Sequence, residues 1–324
     1  MARVFSGIQP TGSPHLGNYV GAISRWAADP QPDQYFCVVD LHAITVPQDP
    51  AELRARSLDL AAWLLAAGLD PDVATVFVQS QVPQHTGLSW ILECVANMGE
   101  LGRMTQFKEK SEGRSSIPVG LYTYPVLQAA DILLYHAEQV PVGQDQRQHV
   151  ELTRDIAQRF NHRYGDTFTV PEATLSATGA RVMDLQLPQR KMSKSLPPAG
   201  TVLLSDDEAT TRKKLRRAVT DSGSGVHTGA DKPELTNLLE LASVVTGATV
   251  PELEATYEGS GYGDFKAELA EAVNGFLRPV RVRHAELTAD PGALREVLRK
   301  GADRAEAVAA QTLAAVRERV GFLT

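Results

Sequence analysis

Two short runs, YFCVVD (residues 35–40) and TVFVQS (75–80), are apolar at nearly every position. A strand with one wet face alternates polar and apolar residues. A run without that alternation has to be covered on both faces. Between the two, DPAE (49–52) reads as a helix start: Asp49 can cap, Pro50 suits the first helical position, and Glu52 can reach back to the cap. Leu53, Leu60, Trp63, Leu64 and Ala67 continue along one face, and Gly68 closes the helix. Upstream, ARVFSGIQ is a short β run that breaks at Gly7. It leads through TGSPHLGN (11–18) into a helical stripe of Leu16, Val20, Ile23 and Trp26. Doubly buried strands alternating with helices predict an α/β domain built on a parallel sheet.

Residues 81–125 fit the alternation poorly and read as an insertion, helical at its start (Leu88, Ile91, Leu92, Val95) and charged in its middle (QFKEKSEGRSS). The pattern resumes with a helix at 125–136, a short strand near QVPVG and a helix at 144–160. From about 205 onward only helices are expected: DDEATTRKKLRRAV, PELTNLLELASVV, VPELEATY, FKAELAEAVNGFLRPV and two more beyond Asp290. Ala305, Ala309, Leu313, Val316 and Val320 stripe the last. Between the two halves lies RKMSKSLPP (190–198), with neither strand alternation nor a helical stripe. Junctions of this kind favour ligand sites.

The 324 residues suggest about two domains. No apolar run approaches the roughly 20 residues of a membrane helix. MARVFSGIQP lacks the apolar core of a signal peptide. A cytoplasmic location is therefore expected, with no membrane partner. Cys37 and Cys94 are the only cysteines and share no metal-ligand spacing, which argues against a disulfide scaffold, a zinc ribbon and an iron–sulfur cluster. Cys37, inside YFCVVD, reads as a core residue. The formal net charge of −7 argues against bulk attraction to nucleic acid. A nucleic-acid partner would need a local patch, for which TRKKLRR (211–217) is the clearest candidate, although a solvated helix face explains it equally well.

Four constellations can carry chemistry. TGSPHLGN is a glycine-rich turn between a strand and a helix, where free N–H groups and the helix end favour an anion. Gly17 would let the backbone approach closely, and His15 and Asn18 add donors. An ordinary connection explains the turn as well. In YPVLQAADILLY, Tyr124, Gln128, Asp131 and Tyr135 fall on one face of a helix that is otherwise apolar. A carboxylate there needs a partner, either an arginine elsewhere or a ligand in a pocket offering one acceptor and two phenols. PVGQDQ (141–146) ends a strand and opens a helix, placing Asp145 where ribose hydroxyls bind in a parallel sheet. Helix capping would account for it too. KMSKS (191–195) puts Lys191 and Lys194 three apart on a loop, two mobile point charges that suit a leaving pyrophosphate.

HLGN (15–18) and KMSKS, in that order, resemble the two signatures of the class I aminoacyl-tRNA synthetases. GIQPTG (7–12), VDLHAIT (39–45), GELGRMTQFKEK (99–110), AADILLY (129–135), VGQDQ (142–146) and YEGSGYGDFK (257–266) resemble the bacterial tryptophanyl branch of that family over essentially the whole chain. The resemblance implies a Rossmann-like catalytic domain at 1–186 with a dimer-forming insertion at about 81–125. It further implies a helical tRNA- and anticodon-binding domain at 187–292 that begins with the KMSKS loop, and C-terminal helices at 293–324 packing back on the catalytic domain. The implied reaction joins L-tryptophan to ATP, releases pyrophosphate with Mg²⁺ help, and passes the tryptophanyl group to tRNA(Trp).

By the same resemblance, Gln9, Pro10, Thr11, Gly17 and Asn18 line the ATP site, with His15 near the phosphates. Gly143, Gln144 and Asp145 hold ribose, and Val182 and Met192 flank adenine. Lys110, Lys191 and Lys194 grip the phosphates, with Ser193 and Ser195 beside them. Mg²⁺ is held through the phosphates, with no protein ligand set. Asp131 accepts the indole N–H, Tyr124 and Gln146 hold the α-amino group, and Phe5, His42, Val140 and Val142 complete the pocket. Gln128 stands where many bacterial members carry methionine, so it is a second candidate for the indole N–H or a neighbour of Asp131. The competing readings are a tyrosyl-tRNA synthetase, which shares the architecture, and a nucleotide-binding regulatory paralogue that no longer charges tRNA.

Overall fold

The computed structural model describes residues 2–28, 30–113, 115–175, 182–223 and 225–323, and leaves aside the side chains of Arg25 and Leu175. Its centre is a five-stranded sheet of β1 (Val4–Ile8), β2 (Gln34–Val38), β3 (Thr75–Val78), β4 (Gln139–Val142) and β5 (Glu172–Leu175), ordered β3-β2-β1-β4-β5. All four pairings are parallel. The period-two geometry of the strands feeds two cores. Phe36, Val38 and Val76 enter one layer with Leu60 and Leu64 of α1 (Pro50–Ala66). Tyr35, Cys37 and Phe77 enter the other, with Leu88 and Leu92 of α2 (Gln84–Glu93) and Val126 and Ala130 of a later helix. The sheet is thus covered on both sides, as its unalternating sequences require.

The remaining helices that matter for the site are α3 (Thr105–Ser111), α4 (Val119–Leu133) and α5 (Arg147–Tyr164). The helical region comprises α6 (Glu208–Arg216), α7 (Pro233–Thr246), α8 (Tyr262–Ala289) and α9 (Pro291–Val320). α6 and α7 both lie against α8, which in turn crosses α1. α9 rests on β3 and α2.

Several expectations change. Asp49 caps α1 through bonds of 2.9 Å from the N–H groups of Ala51 and Glu52, but Glu52 pairs with Arg56 at 2.6 Å and does not turn back to the cap. The stripe from Leu16 to Trp26 is helical in three pieces: Leu16–Asn18, a widened π-type turn at Tyr19–Ile23, and Ser24–Ala28. β5 was not expected, because EATL has no apolar run to announce it. The two helices expected beyond Asp290 are one. Gly301 does not break α9; a Cβ there would sit 1.8 Å from the carbonyl oxygen of Val76, so the glycine is what lets the helix lie directly on β3. FKAELAEAVNGFLRPV likewise belongs to the single long helix α8, which continues through Pro279.

Candidate active site

The strand order reverses between β1 and β4, and in an open parallel sheet the crevice at that reversal, outside the carboxyl ends of the strands, is where ligands bind. A cleft of 660 Å³ opens there. Of the residues expected to hold an amino acid, it gathers Phe5, His42, Tyr124, Gln128, Asp131, Val140, Val142 and Gln146. Gln9, Lys110, Gly143 and Asp145 line the same cleft. A second cavity of 660 Å³ adjoins it and shares Gln9; it is walled by Thr11, His15, Asn18, Ser193, Lys194 and Ser195.

Asp131 is 1% exposed and is surrounded by donors. Its Oδ1 receives the side-chain amide of Gln79 at 2.7 Å and Nδ1 of His85 at 2.6 Å, and its Oδ2 receives Nε2 of His42 at 2.8 Å. Burial alone would push this carboxyl up, but the pairing with His42 and His85 prevails and holds it well below the usual carboxylate range. An ionised carboxylate only accepts, with about four lone-pair sites. Three are occupied, which leaves one on Oδ2 for a donor in the cleft. The partner of Asp131 is therefore neither an arginine nor Gln128, which is half-buried in the cleft wall with no bond to Asp131.

Tyr135 does not join this wall. α4 ends at Leu133, and the phenol turns into the core, stacked on Phe5 and Tyr35 with centroids 5.7 and 4.6 Å away. Its hydroxyl lies 2.8 Å from Nε2 of His85. Because Asp131 accepts, Nδ1 of His85 carries the ring proton and Nε2 accepts from Tyr135. The cleft therefore holds one phenol, Tyr124, where two were expected. Gln79 and His85 escaped the sequence reading. Gln79 follows the carboxyl end of β3, and that position was the available signal.

At the turn, His15 caps the first helical residues. Its Nδ1 accepts the N–H of Asn18 at 3.2 Å, and the Asn18 side chain accepts the N–H of His15 at 3.1 Å. The His15 proton thus sits on Nε2. Burial first, then the charges of Lys194 and Lys191, pull its pKa down to about 4. The N–H of Leu16 is also taken, by the carbonyl of Val202. Three of the backbone donors expected for an anion, those of His15, Leu16 and Asn18, are therefore already bonded, and the positive charge at this end comes from side chains. Lys194 reaches across from the KMSKS loop to the carbonyl oxygens of Thr11 (3.1 Å) and Gly12 (3.0 Å). Burial there lowers its pKa.

Pro10, Gly17, Val182 and Met192 are buried. The side chains of Val182 and Met192 belong to the core, and the N–H of Met192 bonds the Val182 carbonyl at 3.1 Å. Neither residue lines either cavity. Lys191 and Gln144 are exposed, outside the lining of both cavities. Lys213 and Arg216 of α6 and Arg217 just after it face water, whereas Lys214 turns inward to Asp206 at 2.6 Å and Arg212 pairs with Glu271 at 2.6 Å.

The geometry combines a small, partly apolar cleft having one buried acceptor with an adjoining cavity edged by lysine and a neutral imidazole. Comparison with known proteins agrees with it. The sequence profile of the family described as tRNA synthetases class I (W and Y) matches residues 1–278. The chain is 54% identical to tryptophan–tRNA ligase 2 of Streptomyces avermitilis, over 99% of this chain and 97% of that one. It is 51% identical to the tryptophan–tRNA ligase of Bacillus anthracis, over 99% and 98%. The crystal structure of tryptophanyl-tRNA synthetase from Campylobacter jejuni complexed with ADP and tryptophan superposes with a TM-score of 0.87 at 37% identity, covering 99% of this chain and all of that one.

Proposed function

The chain belongs to the class I tRNA synthetases that serve tryptophan and tyrosine, and on that premise we infer that it is a tryptophan–tRNA ligase. The observation that carries the choice of amino acid is the buried, ionised Asp131 with one acceptor site left toward the cleft. An indole N–H satisfies it. Phenylalanine leaves it unmatched, and an unpaired buried polar group of this sort costs discrimination factors of roughly 10⁴. Tyr124 and Gln146 face the same cleft, where they receive the α-ammonium group.

In the first step a carboxylate oxygen of tryptophan attacks the α-phosphorus of ATP; the bond to the β-phosphate oxygen breaks and pyrophosphate leaves. In the second, a ribose hydroxyl at the tRNA terminus attacks the acyl carbon and AMP leaves. Neither step needs a strong base from the protein. Phosphoryl transfer is served by positioning and by charge aimed at the leaving oxygens. Lys194 lines the second cavity, and we assign that cavity to the triphosphate, with Nε2–H of neutral His15 as a donor and Asp145 on ribose. Mg²⁺ arrives on the phosphates as part of the nucleotide substrate.

Residues 1–186 are assigned to activation and 187–292 to tRNA, with the exposed Lys213, Arg216 and Arg217 on the tRNA side. Trp90, Met98 and Val119, within 81–125, are 66, 76 and 76% exposed; a second copy covers apolar side chains of this kind, and we assign the homodimer interface to that segment. None of the described helices is long and apolar enough to cross a membrane, and the enzyme is placed in the cytoplasm with its tRNA. Charging of tRNA(Trp) in vitro, and rescue of a strain lacking its tryptophanyl-tRNA synthetase, test the assignment. A folded protein that does neither refutes it.

A further inference from the structure

Gln106, on α3 within the GELGRMTQFKEK run, stands between the two halves of the site. Its side-chain oxygen receives Nζ of Lys110 at 3.2 Å and the hydroxyl of Tyr124 at 3.2 Å, and its amide nitrogen faces Oδ2 of Asp145 at a long 3.5 Å. The orientation of this amide is fixed by its neighbours. Lys110 only donates and Asp145 only accepts, so the oxygen must point to the first and the nitrogen to the second.

The network continues to His149 on α5. Its Nε2 lies 3.0 Å from the Tyr124 hydroxyl, and the ring is 1% exposed. Its Nδ1 has no hydrogen-bond partner among the described residues. An orphaned buried N–H costs more than an orphaned lone pair, so the proton belongs on Nε2, donated to the Tyr124 oxygen. Tyr124 must then donate its own proton to Gln106. One lone pair of the Tyr124 oxygen remains, available to a cation that enters the cleft. Every proton from Asp145 to His149 is assigned without conflict.

We propose that Gln106 is a positioning residue that couples the nucleotide subsite to the amino-acid subsite. The proposal rests on the synthetase reading above. In the unliganded protein Lys110 and Tyr124 share one acceptor oxygen. When triphosphate draws Lys110 away, Tyr124 keeps that oxygen to itself and donates to it more fully. The Tyr124 oxygen becomes the more electron-rich acceptor for the α-ammonium group, so bound nucleotide tightens tryptophan. By thermodynamic reciprocity, bound tryptophan tightens the nucleotide by the same factor.

The test is equilibrium dialysis of labelled tryptophan with and without saturating adenosine 5′-(β,γ-methylene)triphosphate and Mg²⁺, for the wild type and Gln106→Ala. The wild type should bind tryptophan about fivefold or more tightly with the analogue present. Gln106→Ala, which removes the acceptor of the Tyr124 hydroxyl, should bind tryptophan alone a few-fold more weakly and lose the enhancement. Tyr124→Phe, weaker in tryptophan binding from the outset, should also show no enhancement, and adding Gln106→Ala to it should change nothing further. An unaltered enhancement in folded Gln106→Ala, or no enhancement in the wild type, overturns the coupling role. A wild type that binds no tryptophan fails the synthetase reading, and that result is distinct from both.

Discussion

Lys194 places its ammonium nitrogen 3.1 Å from the carbonyl oxygen of Thr11, a residue 183 positions earlier in the chain. The KMSKS loop is thus fastened to the turn that follows β1, and the same ammonium is also bonded to the carbonyl of Gly12. Carbonyl oxygens hold a lysine more weakly than phosphate oxygens do, so the contact keeps the charge at the site and yields it when a triphosphate arrives. Lys194→Ala should lower the rate of adenylate formation by about 10²-fold or more, the loss expected for one preorganised donor. The KM for tryptophan should stay within a few-fold. Steady-state ATP–pyrophosphate exchange measures both; an unchanged rate would remove Lys194 from the reaction.

Asp131 carries two burdens, selectivity and structure. Asp131→Ala leaves His42, His85 and Gln79 without their acceptor. A buried donor left unmatched costs about 1–3 kcal/mol, and urea unfolding should show a loss of several kcal/mol. Asp131→Asn retains the shape and should fold better, yet it too should lose much of the preference for tryptophan over phenylalanine. Retention of full selectivity in Asp131→Asn would transfer indole recognition to another group, Gln128 first.

The buried imidazoles set an acid limit. His15 is held down to about 4 by burial and the two loop lysines, and His149 to about 4 by burial and Lys110. Both titrate at 6.5 when unperturbed. Between pH 6.5 and 4 the unfolded chain therefore binds more protons than the native one, so stability rises with pH across that window and is lost on acidification. The shift at each site corresponds to on the order of 3 kcal/mol at most. Unfolding free energies at pH 7 and 4.5 should differ less for His15→Asn and for His149→Gln than for the wild type. Equal differences would show that neither ring is the titrating group.

Lys213 and Arg216 on α6, and Arg217 just after it, are exposed cations. Reversing their charge to Glu should raise the KM for tRNA(Trp) several-fold and make charging less salt-sensitive, since fewer phosphates are neutralised. ATP–pyrophosphate exchange, which needs no tRNA, should be unaffected. Equal loss in both assays would mean that α6 serves the fold and not the tRNA.

The sheet was legible because burial on both faces writes itself into YFCVVD and TVFVQS as unbroken apolar runs. β5 was not, because Glu172–Leu175 is a four-residue edge strand with a charged first residue and no such run. The face of α4 was readable from helical spacing up to Asp131. Tyr135 lay at the right offset but beyond the last helical residue, where spacing no longer fixes direction. Gln79, His85, Gln106 and His149 come from four other segments and meet Asp131 or Tyr124 only through tertiary packing. Polar residues of that kind have no local pattern, and a single sequence offers no way to tell them from surface residues.

The central claim is most directly tested by amino-acid-dependent ATP–pyrophosphate exchange run with each of the twenty amino acids in the presence of Mg²⁺. The account predicts exchange with tryptophan and essentially none with phenylalanine or tyrosine. Exchange driven by tyrosine, whose phenol can donate to the same Asp131 oxygen, would keep the fold and the phosphate chemistry but contradict the choice of tryptophan, and folded protein that exchanges with no amino acid would contradict the activation reaction itself.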